Sequence, residues 1–382
     1  LDSPVRVLQL DAWLLRAPVA RPMVTSFARL GERSVLLLRV TGVDGAFGWG
    51  EAYCNFPPHG GEHRMALLQA VFAPLLLGRE FASPAAAFDA LTRKTAVLAL
   101  QTGEPGPMAQ CIAALDIALW DLVSRRAGLP LAALLSEAPR ASVAAYATGL
   151  SPDGLQATLA AEAARGHRAF KLKMGFDRWV DLQAMRTARE LLGDALVAVD
   201  ANQAWSLPVA IEMAEALAAD APLWLEEPLP ADAPAAAWKA LAEACAIDLA
   251  CGENLYSEQA FLDVIGAGHV RYLQPDPIKW GGITGVSRIA SRAQQAGMVF
   301  CPHFIGSGLG FAACMHLVAA LGGDGSMVEV DPNENPLREP LGQPCPPLVH
   351  GRYRVPAGAG LGVEPDLAAV RAHLVQHFCL QA

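Results

Sequence analysis

Charge is scarce in this 382-residue sequence: only 18% of the residues are Asp, Glu, Lys or Arg, and the formal net charge is −9. That balance excludes a nucleic acid or an anionic membrane surface as partner, since both demand a basic footprint. No apolar run approaches the roughly 20 residues of a membrane span. The first residues show no basic region leading into an apolar stretch, so a cytoplasmic location is expected. The eight cysteines (Cys54, Cys111, Cys245, Cys251, Cys301, Cys314, Cys345 and Cys379) include no Cys-x-x-Cys pair. Buried free thiols are expected in preference to a disulfide or zinc framework. With 53% of residues hydrophobic, the chain is no disordered polymer and can bury one large domain plus a smaller companion.

What the sequence does contain is a regular series of short apolar runs, each ending in a polar group. Lys171 and Lys173, Asp200, Glu226, Glu253, Asp276, His303 and Glu329 close these runs, and from Lys173 onward the steps are 27, 26, 27, 23, 27 and 26 residues. A strand, a loop, a helix and a return loop occupy about that length, so the series reads as repeated βα units. In a β/α barrel the carboxyl ends of all strands meet at one face, which would bring these groups to one cavity.

Before this series the pattern differs. Residues 5–15 and 34–53 read as strands, the second stretch split by a turn at Val43-Asp44-Gly45. Two loops rich in Pro and small residues, Arg16 to Gly31 and Asn55 to Glu62, punctuate the region. A helix is expected from Met108 to Ala127, stopped by Gly128 and Pro130. Strands followed by helices without alternation indicate an α+β unit. The expected division is 1–130 for that unit, 131–355 for the barrel, and 356–382 for a terminal segment holding a helix that returns to the first domain.

Asp200, Glu226 and Glu253 would stand side by side on the rim, where three carboxylates repel one another unless a cation lies between them. All-oxygen ligation suits Mg2+ better than zinc, although each residue alone also reads as a solvated rim residue or helix cap. Lys171 and Lys173, two apart on one strand, face the same way. Paired ammonium groups lower each other's pKa and can yield a base near neutral pH, or a Schiff-base lysine. Asp276 beside His303 can hold one imidazole tautomer for acid or base work. Glu329, among so many anions, is expected either to stay protonated and donate to substrate or to serve as a plain polar partner.

In their order and spacing these residues resemble the enolase superfamily, and within it the mandelate racemase subgroup. The resemblance extends to Gly48-Trp49-Gly50-Glu51, Ala114-Leu115-Asp116-Ile117-Ala118-Leu119-Trp120-Asp121-Leu122, Asp200-Ala201-Asn202, Glu226-Glu227-Pro228, Gly252-Glu253-Asn254 and Gly281-Gly282. It implies an α/β fold: a modified (β/α)7β TIM barrel with an N-terminal α+β capping domain completed by the C-terminal tail. It further implies Mg2+ on Asp200, Glu226 and Glu253, Lys173 as base on one face, and the His303–Asp276 dyad on the other. Lys171 would bind the substrate carboxylate and tune Lys173, and Glu329 would hydrogen-bond the enediolate. A carboxylate at 276, where the muconate-lactonising branch carries a lysine, selects the subgroup. The stretch Val330-Asp331-Pro332-Asn333-Glu334-Asn335-Pro336 resembles the sugar-acid dehydratases.

The reaction so implied is removal of the proton next to a carboxylate, followed either by loss of a β-hydroxyl or by reprotonation on the opposite face. Arg21 and His59 in the capping loops, with His63 nearby, are expected to make the distal end of the site polar, and Asn202 to contact substrate. That favours a polyhydroxy acid and dehydration over racemisation. A homo-oligomer is expected from the same resemblance.

Overall fold

The computed structural model describes residues 3–382. Its first layer is an antiparallel sheet in which the long strand Val5–Val24 lies between Leu374–Gln381 and Arg29–Gly42, and Phe47–Ala52 forms the far edge. Two expectations are corrected here. The segment read as a loop from Arg16 is strand as far as Val24, and only a tight turn separates it from Arg29. Pro22 is tolerated because it falls inside the break in pairing between Pro18 and Met23, and Pro18, opposite Glu32, stands at the edge of that break. The terminal segment is likewise not a helix: after a short 3-10 turn, Leu374–Gln381 pairs antiparallel with the first strand. The Val-Gln-His-Phe-Cys-Leu alternation there has a period of two, which lets Phe378 reach the core while its neighbours face outward.

Against this sheet lies the helix Pro105–Ala127, buried along almost its whole length. It is long and apolar enough to cross a membrane, yet 83% of its most apolar stretch is buried inside the protein. Gly48 and Gly50 permit the contact, because a Cβ at either would overlap the backbone of this helix at Ala118 or Ala114.

The second layer is the barrel. Eight parallel strands occur in chain order at Ser142–Leu150, Ala169–Lys173, Leu196–Asp200, Leu225–Glu226, Leu249–Cys251, Tyr272–Leu273, Val299–Phe300 and Met327–Val330. Each strand from the second to the seventh pairs with its predecessor, and the last pairs with the first. One long helix fills each of the seven gaps, and none follows the eighth strand directly. This is the (β/α)7β arrangement with a capping domain.

Two buried carboxylates tie cap to barrel. Glu51 accepts the backbone N–H groups of Ser307 (2.8 Å) and Gly310 (2.9 Å) at the start of the helix Gly308–Leu321. Asp116 accepts those of Ile283 (2.7 Å) and Thr284 (2.8 Å) at the start of the helix Gly282–Gln295. Each supplies from another domain the N-terminal cap of a barrel helix. Asp121, on the same cap helix as Asp116, accepts from Trp49 and Leu361 and so fastens the C-terminal tail.

Candidate active site

Strand register builds the centre of the site. Lys173 pairs with Asp200, and Asp200 with Glu226, so three strand ends present their side chains at one level. Glu253 follows the next strand, Leu249–Cys251, after the left-handed Gly252, whose Cβ would press into the backbone of Gln274. Asp276 and His303 lie just past the following two strands, and Glu329 sits on the last. All seven groups are brought together, and Lys171 with them.

Each carboxylate is turned toward a cation. Lys173 Nζ lies 2.5 Å from Asp200 Oδ2, Lys171 Nζ 2.5 Å from Glu226 Oε1, and His303 Nε2 2.5 Å from Glu253 Oε2. Trp224 Nε1 and Gln274 Nε2 also donate to Glu226, and the backbone N–H of Asn202 donates to Asp200. His303 Nδ1 faces Asp276 Oδ2 at 2.7 Å, while Asp276 Oδ1 accepts the N–H groups of Ile278 and Lys279.

Electrostatics correct two expectations. Burial pulls the Lys173 and Lys171 ammonium groups down, but Asp200 in the first case, and Glu226 and Glu329 in the second, override it and hold both raised. Carboxylates outnumber the ammonium pair, so mutual depression of the two lysines does not prevail. Glu329 is not kept protonated: burial pushes it up, but Lys171 at 2.8 Å and the charge of His303 bring it down to about 2. It accepts from Tyr146 Oη and the Phe304 N–H instead. For His303, burial is outweighed by Glu253 and Glu329 together with its Asp276 bond, and its pKa rises to about 10.

Among the described residues no three metal-ligating side chains close around one point, because Asp200, Glu226 and Glu253 are each drawn onto Lys173, Lys171 or His303. The donor chemistry nonetheless fits a hard divalent cation: three carboxylates from neighbouring strand ends, with neither sulfur nor imidazole among them.

Lys173, Asn202, Glu253 and His303 open onto a cavity of about 810 Å³ roofed by the cap. Arg21 and His59, expected at its distal end, are corrected. Arg21 is exposed, its backbone N–H bound by Glu334, and His59 points to solvent beside Glu62. His63 pairs with Glu104 away from the cavity. The turn at Thr25–Ala28 and the loop after Asn55 still supply the roof, but through Phe27, Phe56, Pro57 and Pro58. Phe27 and Phe56 pack with centroids 5.6 Å apart.

Sequence reading missed Arg64, Gln110, Tyr53, Tyr256 and Lys279, which also line the cavity. Lys279, buried three residues beyond Asp276, donates to Asn254 Oδ1 at 2.9 Å and lies over the Tyr53 ring. Its bond turns the Asn254 amide so that Nδ2 faces Glu253 and Glu227. A signal existed for Arg64 alone: a cation among the small and apolar residues Gly60, Gly61, Met65 and Leu67 on one helix face.

Comparison with known proteins agrees with this geometry. Residues 10–136 match the family described as mandelate racemase / muconate lactonizing enzyme, N-terminal domain, and residues 155–369 match enolase C-terminal domain-like. D-galactarolactone cycloisomerase of Agrobacterium fabrum is 28% identical over 94% of this chain and 96% of its own. The crystal structure of a mandelate racemase/muconate lactonizing enzyme from Bordetella bronchiseptica is 44% identical, with a TM-score of 0.90 over 97% of this chain and 100% of that one. L-talarate/galactarate dehydratase from Salmonella typhimurium, liganded with Mg and L-lyxarohydroxamate, is 27% identical. It superposes with a TM-score of 0.87, covering 100% of this chain and 95% of the other.

Proposed function

The chain belongs to the mandelate racemase subgroup of the enolase superfamily and is an enzyme of that family; on that premise we propose that it dehydrates an acid sugar to a 2-keto-3-deoxy acid. The observation that carries this reading is the arc Asp200–Glu226–Glu253, flanked by Lys173 at one end and by the His303–Asp276 dyad at the other.

In this reading Lys171 holds the substrate carboxylate, with Glu329 fixing its ammonium. Lys173, whose ammonium would lose its hold on Asp200 if that carboxylate turned to a cation, takes as the free amine the proton from the α-carbon, and the electron pair of that bond moves into the carboxylate as an enediolate. His303, protonated and backed by Asp276, gives the Nε2 proton to the β-hydroxyl. The C–O bond breaks, water leaves, and the enol becomes the keto acid. Mg2+ held by Asp200, Glu226 and Glu253 would supply positive charge against the second negative charge developing on the carboxylate, an effect of several kcal/mol. General acid–base assistance adds roughly 10²–10⁴-fold.

The relatives named for galactarolactone, talarate and galactarate support acid sugars as substrates. Exposed Val97 and Leu100 on one cap helix support a homo-oligomer as the assembly. The test is a screen of acid sugars with Mg2+, assayed for 2-keto acid and, in D2O, for deuterium uptake at the α-carbon. Keto acid that disappears in Lys173→Ala and in His303→Asn supports dehydration. Exchange without keto acid would replace it by racemisation. Activity that survives chelation, with a borohydride-trapped adduct on lysine, would replace it by Schiff-base chemistry.

A further inference from the structure

Arg64 is 3% exposed and has no carboxylate within 4.0 Å among the described residues. Its guanidinium donates to three neutral acceptors: Gln110 Oε1 (2.8 Å), the Gly60 carbonyl (2.9 Å) and the Phe56 carbonyl (3.2 Å). Arg33, equally buried, has Asp331 at 2.8 Å, and Lys171 and Lys173 have theirs. Buried charge without a counterion is costly, and three neutral hydrogen bonds offset only part of that cost.

Gln110 sharpens the case. Because the Arg64 Nε–H can only donate, the Gln110 amide must turn its oxygen to it. The Gln110 amide nitrogen is thereby directed elsewhere, and it donates to no acceptor among the described residues. Arg64 and Gln110 both line the cavity that also contains Lys173 and His303. Its distal end therefore carries one unbalanced positive charge, two uncommitted guanidinium hydrogens and an amide NH2, with no acceptor of their own. Phe27, Phe56 and Pro57 supply an apolar part of the same lining, and Asn55 and Tyr256 add polar groups to it.

The uncommitted groups of Arg64 and Gln110 are all donors beside one unbalanced positive charge, a pairing that suits a planar, acceptor-only anion such as a carboxylate. We propose that Arg64 and Gln110 bind the second carboxylate of a dicarboxylic acid sugar whose first carboxylate is processed at the barrel rim. This rests on the function proposed above and narrows it: the substrate is a diacid, held at both ends.

The experiment compares aldarates of four to six carbons with the matching aldonates, measuring affinity calorimetrically in Mg2+. The Lys173→Ala background prevents turnover during titration. At least one aldarate should bind about tenfold or more tightly than its aldonate. Arg64→Met should bring that ratio to near one by weakening the aldarate more than the aldonate. Gln110→Glu keeps the fold by giving Arg64 an internal partner, and should erase the preference in the same way. Equal affinity for the two acid classes, or a preference that survives in both variants, would overturn the assignment. Deuterium exchange by the wild-type protein on the same acids judges the chemistry separately: diacid preference without exchange leaves this site standing and removes the proposed reaction.

Discussion

His303 presents Nδ1 to Asp276 Oδ2 at 2.7 Å, while the other Asp276 oxygen is held by the Ile278 and Lys279 N–H groups. The carboxylate cannot rotate without losing two backbone bonds. An Asn at 276 must turn its oxygen to those donors and its NH2 to His303. Nδ1 would then have to accept, the neutral ring would keep its one proton on Nε2, and the imidazolium that serves as acid would lose the carboxylate that supports it.

Asp276→Asn should therefore lower kcat by about 10²–10⁴-fold with KM little changed, because substrate contacts are untouched. Steady-state kinetics on whichever acid sugar is turned over decides it. A loss smaller than about tenfold would mean that the dyad does not set the state of His303 in the reaction.

The cap-to-barrel bond of Asp116 is expected to matter for stability. Its Oδ2 carries the Ile283 and Thr284 N–H groups, and its Oδ1 accepts the Thr284 hydroxyl at 2.6 Å. Gly281, at the N-cap of that helix, offers no side-chain cap of its own. Asp116→Ala should cost about 2–3 kcal/mol, the scale of buried donors left unpaired, and lower the urea midpoint. An unchanged midpoint would show that the helix start is held by something else.

His316 gives a pH dependence far from the catalytic centre. Burial pulls its pKa down to about 4 against the Leu361 carbonyl facing Nε2, which raises it, and Nδ1 accepts from the Ala132 N–H, as only the neutral ring can. The folded pKa lies below the unfolded one. The resulting stability is thus present above pH about 6.5 and lost as pH falls toward 4, reaching about 3 kcal/mol at most. Urea unfolding of wild type and His316→Gln across that window should show the wild type declining more steeply. Parallel curves would refute this.

The chemical ring was legible in the sequence because strand ends in a barrel recur at a fixed chain interval, so Lys173, Asp200, Glu226, Glu253, Asp276, His303 and Glu329 announce themselves by spacing alone. Residue type then identified a set of hard oxygens, an amine pair and an imidazole–carboxylate pair. Other features depend on contacts between distant segments, and no local pattern encodes those. Asp116 stands inside an apolar helix, and its role appears only when the helix at Gly282 comes to it. The first strand was read from residue 5, but its continuation to Val24 was hidden by Pro18 and Pro22, which lie where the pairing shifts. The protonation states of Lys171, Lys173 and Glu329 were misjudged because they follow from a count of neighbours at 2.5–2.8 Å. Above all, the sequence determined what the barrel rim can do to an acid. Only the folded cap decided which residues line the cavity, sending Arg21 and His59 outward and turning Arg64 in, because burial of a side chain depends on what packs over it.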